Sequence, residues 1–479
     1  MTTQPAFSKL PCTTYSAYGS GCIFYTMSAG IMMMYLLVFL QDILHIESDL
    51  AGYIIFWAQI VEAITTPPLA IKSDNISSGC CRYSKWKSLH LIGSISVVIT
   101  CPLIFNSYIN LENAQTWGKF IYYTGLLIIF NINQTLSKLS QLALIPVLSS
   151  TDSDKIALSA VRNGVSVGTS LFLFLTTWLV LKTNPLGAKN HTPNHSQDFL
   201  IVAGINSAVG LVATIIFQIG IKEPGSAISS DSKDYGTITE NNNESKEFAM
   251  DWKSWFKEVQ FYQITVLFTA GKLCERLIIT YLPMYLTQSL FMSMEFIAII
   301  PLVLYSSSMI FTFPIQKMNQ HYGRKITFCL GPAIVFISSI WILLGYGLNQ
   351  KTVYVLAALM GVHHAVISVT VLALASDLIG NHKNTSGFVY GILCFTDKVS
   401  YGSAVLLLQK LFPCSTSQCC DACVSFYKYI MAFAPGALSS IAVIVLLTLI
   451  PTTIGKLRQE KLSDDFKIQQ DDKKVLQDD

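Results

Sequence analysis

Seven ionisable residues stand in stretches otherwise built from apolar side chains: Glu62, Lys138, Lys272, Glu275, Arg276, Asp397 and Lys398. A charge at the centre of a bilayer costs on the order of 2.5–3.5 kcal/mol even on lenient insertion scales, so such groups pair, face water, or do both. Three acids against four bases make a nearly balanced set that can neutralise itself around a central cavity. Lys272 and Arg276 are four residues apart with Glu275 between them, so one helix face can be satisfied internally. Asp397 and Lys398 are adjacent and point about 100° apart on a helix. They cannot serve the same neighbour, so one can hold a ligand while the other pairs with another helix. The plainer reading is that all seven are structural ion pairs locking helices together. The functional one makes Glu62 a carrier of a proton or a holder of Na⁺, and Lys138 and Lys398 holders of a carboxylate or phosphate. A cavity offering both signs suits a zwitterion such as an amino acid. A neutral sugar would be met by carboxylates and aromatics instead.

Other polar residues read more blandly. Gln59 and Thr66 flank Glu62 on its own helix, and Asn131, Asn133, Gln134 and Gln141 suit hydrogen bonding between helices as well as ligand binding. His363 and His364 could shuttle protons, but only one of two adjacent residues can face a cavity. The Met32–Met34 run reads as packing. There is no Walker loop, nucleophile elbow or HExxH, so nothing supports an enzyme, a cofactor or a metal site.

These charges need elements to hold them. The 479 residues are 52% hydrophobic and 13% charged, with mean hydropathy +0.48; soluble domains carry about 25% charged residues. The composition is that of an integral membrane protein. Its expected fold class is all-α, with twelve spans at about 18–42, 50–71, 87–107, 118–147, 158–182, 199–221, 260–287, 294–316, 325–347, 352–376, 387–410 and 425–450. The polar stretch 222–257 reads as a flexible linker between two six-span halves, 1–221 and 258–451, followed by a charged tail, 452–479. The short polar N-terminus argues against a cleaved signal peptide, because the first run is already long enough to span.

Connections from odd to even spans are poor in Lys and Arg, while those from even to odd hold Lys72, Arg82, Lys85, Lys87, Lys155, Arg162, Lys317, Arg324 and Lys325. The positive-inside rule then puts both termini in the cytosol. The net charge of +3 follows from this asymmetry and does not argue for nucleic acid. Span two is expected to break at Pro67 and Pro68 into a basic loop, and FPIQKMNQHYGRK (313–325) repeats that exit in the second half. Matched exits suggest a repeat-built transporter with its site near the midplane; no pore-loop pattern supports a channel. On the non-cytosolic side, Asn190 and Asn194 lie in sequons and could carry glycans. Cys414, Cys419, Cys420 and Cys423 crowd the last loop there, where one or two disulfides can persist and a metal site is the lesser alternative. Tyr235-Gly-Thr-Ile238, in the linker, fits a tyrosine-based endolysosomal sorting signal.

The stretch Glu62-Ala-Ile-Thr-Thr66-Pro67 with RYSKWK (82–87), AYGSG (17–21), LIP (144–146), Arg162 and Lys398 resembles the glycoside–pentoside–hexuronide:cation symporter branch of the major facilitator superfamily. SQLALIPVL (140–148), TYLPMYLTQSL (280–290), FIAIIPLVLY (296–305), ASDLIGNHKNTSGFVYGILCFTDKVSYGSAV (375–405) and the cysteine-rich PCSTSQCCDACVSFY (413–427) are similar to that branch's lysosomal and melanosomal cysteine transporters. The resemblance spans nearly the whole chain. It implies a major facilitator fold, alternating access and a lysosomal or melanosomal membrane glycoprotein. It further implies cysteine as the cargo, and the expected protein is a monomer with a coupling proton suggested by Glu62; a cation- or proton-coupled sugar symporter, and a non-transporting membrane sensor or scaffold that keeps the fold, are the alternatives. It also implies departures from the sugar symporters: the second carboxylate position of span two is Thr66, and the sugar-binding acids of spans one and four fall at Thr26 and Lys138.

Overall fold

Where no water reaches the backbone, every N–H and C=O must be satisfied within the chain, so a spanning segment becomes a helix or part of a closed barrel. The computed structural model describes residues 11–74, 82–106, 116–148, 152–183, 195–221, 252–345, 350–380, 385–413, 421–452 and 454–455. Among these, all regular structure is helical: α1 (Cys12–Ser20), α2 (Ile23–Val38), α3 (Ser48–Asp74), α4 (Arg82–Ile104), α5 (Thr116–Ala143), α6 (Ile145–Leu148), α7 (Asp152–Thr183), α8 (His195–Gly220), α9 (Val259–Met284), α10 (Phe296–His321), α11 (Arg324–Leu344), α12 (Gln350–Ile379), α13 (Ser386–Lys410) and α14 (Asp421–Leu449). Ten helical segments, counting α1 and α2 as one, are long and apolar enough to cross a membrane. The two remaining long helices, α5 and α9, are the ones loaded with polar residues. Together they make the twelve expected crossings, six on each side of the central stretch.

The expected break at Pro67 and Pro68 is not there: α3 runs on to Asp74 with both prolines inside it. Proline's fixed φ fits a helix, and what it removes is a backbone bond. In the turn before it, Thr65 Oγ1 donates to the Val61 carbonyl at 2.9 Å and Thr66 Oγ1 to the Glu62 carbonyl at 2.7 Å, i−4 bonds that add second donors one turn ahead of the prolines. Thr66 is thereby turned to its own backbone. Part of the expected linker is also ordered. Residues Trp252–Lys257 form a 3₁₀ turn whose Trp255 is buried beside Phe261 and donates from Nε1 to Thr385 Oγ1 at 2.9 Å.

The two halves repeat one another in detail. The first crossing ends in a π-helical turn, Phe39–Ile43, and the seventh in another, Tyr285–Ser289. Leu44 N–H reaches the Phe39 carbonyl and Ile46 N–H the Leu40 carbonyl; Leu290 and Met292 do the same to Tyr285 and Leu286. Each turn is closed by a non-glycine residue of positive φ, His45 at 51° and Phe291 at 50°. The capping of the helix ends is repeated too. Lys87 Nζ donates to the Ile221 carbonyl at the end of the sixth crossing, and Lys325 Nζ to the Leu449 and Ile450 carbonyls at the end of the twelfth, each placing a cation on a negative helix terminus.

Two contacts set where the halves meet. Helices α3 and α13 lie side by side through Gly52 and Gly402: a Cβ on Gly402 would sit 3.1 Å from the Gln59 Cβ and 3.4 Å from the Phe56 backbone. At the end of the bundle away from the chain termini, polar side chains bond directly across the halves. Gln288 Nε2 donates to Asp42 Oδ1 at 2.6 Å, Gln41 Nε2 to Gln409 Oε1 at 2.6 Å, and the Tyr427 hydroxyl to Gln41 Oε1 at 3.0 Å.

Candidate functional site

The charges that α3, α5, α9, α12 and α13 carry come together between the halves. Glu62 is buried, and its Oε1 receives Lys398 Nζ from α13 at 2.6 Å and Thr135 Oγ1 from α5 at 3.0 Å. One residue earlier on α13, Asp397 pairs with Arg276 of α9 at 2.7 Å. Adjacent residues do point to different helices, as their spacing requires, and both pair across, Asp397 through Oδ2 alone. Lys272 and Glu275 satisfy each other on α9 at 3.0 Å, as their spacing suggested. Glu275 also meets His364 Nε2 at 3.1 Å, a cross-helix partner the spacing did not show. Of the two adjacent histidines, His364 faces this cluster, while buried His363 sits 3.2 Å from the Gly331 carbonyl.

Two bases from the first half have no acid beside them among the described residues. Lys138 is solvent-exposed, yet it lies within electrostatic reach of Lys398, Arg162, Arg276 and the Cys394 thiol. Accessible yet ringed by groups on three other helices, Lys138 lines the space between the halves; a lysine facing lipid would be accessible too, but would lack those neighbours. Arg162, half-buried and eleven residues into the α7 segment, donates only to Asn163 Oδ1 at 3.2 Å. Thr26 Oγ1 lies 3.1 Å from Ser166 Oγ, so it meets the fifth crossing and not a charge.

The site therefore contains three acid–base pairs and a surplus of positive charge on one wall, with the field in a low-dielectric cleft directed at an anion. It also contains buried polar atoms with no hydrogen-bond partner among the described residues: Asp397 Oδ1, Gln59 Oε1 and Arg276 Nη1. Unsatisfied buried polar atoms cost about 1–3 kcal/mol each, so a ligand or water that satisfied these three would recover part of that cost. Thr135, Ser308, Tyr305 and Tyr401 belong to the site but carry no charge to announce them. Tyr401 lies under the Arg276 guanidinium at 5.5 Å and hydrogen-bonds Thr280 at 2.9 Å. For Thr135 the available signal was its place one turn before Lys138.

No group of three or more metal-ligating side chains occurs among the described residues. Cys423 is disulfide-bonded. Cys414, Cys419 and Cys420, the sequon residues Asn190 and Asn194, and the Tyr235–Ile238 signal lie outside the described residues.

With this geometry in hand, the chain can be set beside known proteins. Residues 17–414 match a family model described as MFS/sugar transport protein. The chain is 31% identical over 453 residues to human major facilitator superfamily domain-containing protein 12, covering 92% of this chain and 94% of the relative. It is 32% identical to the mouse protein of the same name, covering 88% and 90%. Among solved structures, a D-xylose–proton symporter superposes with a TM-score of 0.65 at 14% identity, over 92% of this chain and 98% of that one, which is a likeness of fold. Twelve helices in two repeats, with charge gathered where the repeats meet, agree with these likenesses: the chain belongs to the MFS/sugar transport protein family of the major facilitator superfamily, and is a multi-pass membrane transporter.

Proposed function

We propose that this transporter carries cysteine from the cytosol into the lumen of the lysosome, or of a related pigment organelle, by alternating access. The observation that carries the reading is Lys138, a cavity-facing cation without an acid partner where the sugar symporters place an acid. A carboxylate bound there and beside Arg162 would meet charge-assisted donors. The buried Asp397 Oδ1 and Gln59 Oε1 supply acceptors suited to an α-ammonium group. In this reading Glu62 and Lys398 form the latch. The incoming carboxylate competes with Glu62 for Lys398, and the freed Glu62 is a proton acceptor in reach of the cavity. Both termini face the cytosol, as the Lys and Arg distribution supports, and the protein acts as a monomer. The Cys423 disulfide, glycans at Asn190 and Asn194, and targeting through Tyr235 and Ile238 fit an acidic-organelle membrane glycoprotein.

The test is uptake of radiolabelled cysteine into lysosomes from cells with and without this protein. Expected is a clear loss without it, and an uptake lowered at least about tenfold by Glu62→Gln or Lys398→Ala, one charge-assisted interaction being about 1.5–3 kcal/mol. Equal uptake in both cell types would sink the cysteine reading. A second reading, a cation-coupled sugar symporter, is favoured by the family description and by the xylose symporter's fold; labelled pentose or hexuronide accumulating in place of cysteine would establish it.

A further inference from the structure

Both ring nitrogens of His364 are engaged. Nε2 lies 3.1 Å from Glu275 Oε1 on α9 and Nδ1 2.9 Å from Ser308 Oγ on α10. The second oxygen of Glu275 is held by Lys272 at 3.0 Å. On its other side, His364 meets the Tyr305 ring edge-on at 5.1 Å, and Tyr305 stacks on Phe174 of α7 at 5.2 Å with the planes 22° apart. That stack crosses from the second half to the first.

We infer that His364 with Glu275 is a proton-binding site separate from the Glu62–Lys398 latch, and that its charge is relayed to the contact between the halves through Tyr305 and Phe174. The hydrogen-bond chemistry permits uptake in place. With the ring neutral, Nε2–H donates to Glu275 and Nδ1 accepts from the Ser308 hydroxyl. On protonation Nδ1–H donates, and Ser308 needs only to rotate its hydroxyl and accept. No heavy atom has to move. Imidazole is also the side chain whose charge ordinarily changes between about pH 5 and 8, the range separating cytosol from an acidic organelle. The charged and titratable groups facing the cluster are Lys272 and Glu275 from α9, with Arg276 next along that helix, Tyr305 from α10, and His363 from α12 itself. With His364 neutral, Lys272 and Glu275 cancel; one proton leaves the cluster with a net positive charge, which is costly at membrane depth unless an anion or water answers it. A bound substrate carboxylate would answer it, and this ties proton uptake to loading.

The repeat gives this placement a second support. Asp42 and Gln288 occupy the same position in the two π-helical turns, 246 residues apart. The same spacing relates Glu62 to Ser308 and Thr26 to Lys272. Equivalent depths in the two halves thus hold different devices: a carboxylate latch in the first, a histidine cluster in the second.

The inference rests on the transporter reading, and on cysteine only as the assay substrate. The full-length protein is reconstituted in liposomes, and labelled cysteine uptake is measured from about pH 5.5 to 7.5, where histidine titrates. Wild type should vary about tenfold or more, since one proton shifts populations up to tenfold per pH unit. His364→Gln should vary less than about twofold while still performing cysteine counterflow. In parallel, the unfolding temperature of purified, substrate-free protein is followed against pH. Its pH dependence should be reduced in His364→Gln but kept in Phe174→Leu, a variant that cuts the relay without touching a charge and so should flatten the transport profile alone. Wild-type pH profiles of both transport and unfolding in His364→Gln would overturn the proton site; a wild-type transport profile in Phe174→Leu would overturn the relay. If wild type carries no cysteine at any pH, the cargo reading fails, and the unfolding profiles still decide the proton site.

Discussion

Each acid of the central site has a base within 3.0 Å, whereas Lys138 has other cations and a thiol for neighbours. A group held by nothing in the protein contributes little to the fold, so its loss should be felt by the ligand. Lys138→Ala should leave the unfolding temperature within about 1–2 °C of wild type, as for a substitution away from packed or paired positions. It should raise the KM for a carboxylate-bearing substrate about tenfold or more, the worth of one charge-assisted bond; transport kinetics and thermal unfolding read the two effects separately. An unchanged KM would remove Lys138 from the binding wall. At this scale the sequence is informative about charge and uninformative about pairing. The seven ionisable residues stand out because an apolar background makes each one expensive. Which base answers Glu62, and which histidine turns inward, depends on the rotation of α13 and α12 about their axes, and local spacing does not contain it.

Helices α3 and α13 carry the two halves of the latch, and their separation is set by glycine. With no hydrophobic force between helices in lipid, close approach of small residues supplies much of the association. Leucine at Gly402 would be driven into Gln59 and the Phe56 backbone. Overpacking of this kind costs about 1–3 kcal/mol. Gly402→Leu should therefore lower the unfolding temperature by several degrees, about 2–4 °C per kcal/mol for a domain of 150–250 residues, and slow transport by pulling Lys398 away from Glu62. Gly125→Ala, where an added Cβ meets nothing within 4 Å, is the matched control and should be neutral. Equal stability of the two variants would show that the α3–α13 spacing is not set by Gly402. Element identity was legible from hydropathy, and α5 and α9 were recognisable because they depart from it. The continuation of α3 past Pro67 and Pro68 was not legible, because consecutive prolines read locally as a helix stop, while their fixed φ is also compatible with a continuing helix.

Over the whole molecule, the described hydrogen bonds between the halves gather at the end away from the termini. Gln41→Ala combined with Gln288→Ala removes the bonds to Gln409 and Asp42 and should shift the population toward a form open at that end. Cys394, half-buried in the cavity beside Lys138, reports the shift. Followed at Cys394 itself by peptide mass spectrometry, since the chain holds twelve cysteines, modification by a charged maleimide should slow severalfold in the double variant, and an unchanged rate would show that these bonds do not hold the far end shut. That the chain is a repeat could be read from its matched helix exits; how closely the repeat is kept could not, since the π-helical turns leave no local signature. The pairing of Asp42 with Gln288 carries that repeat one step further. Equivalent residues that touch lie on the axis relating the halves, and in a dimer of identical subunits a residue on the axis meets its own copy. Two aspartates there would repel. The short bond between an acid and an amide is open only to halves that differ at this position, so the closure of this transporter draws on the divergence of its two repeats as well as on their shared fold.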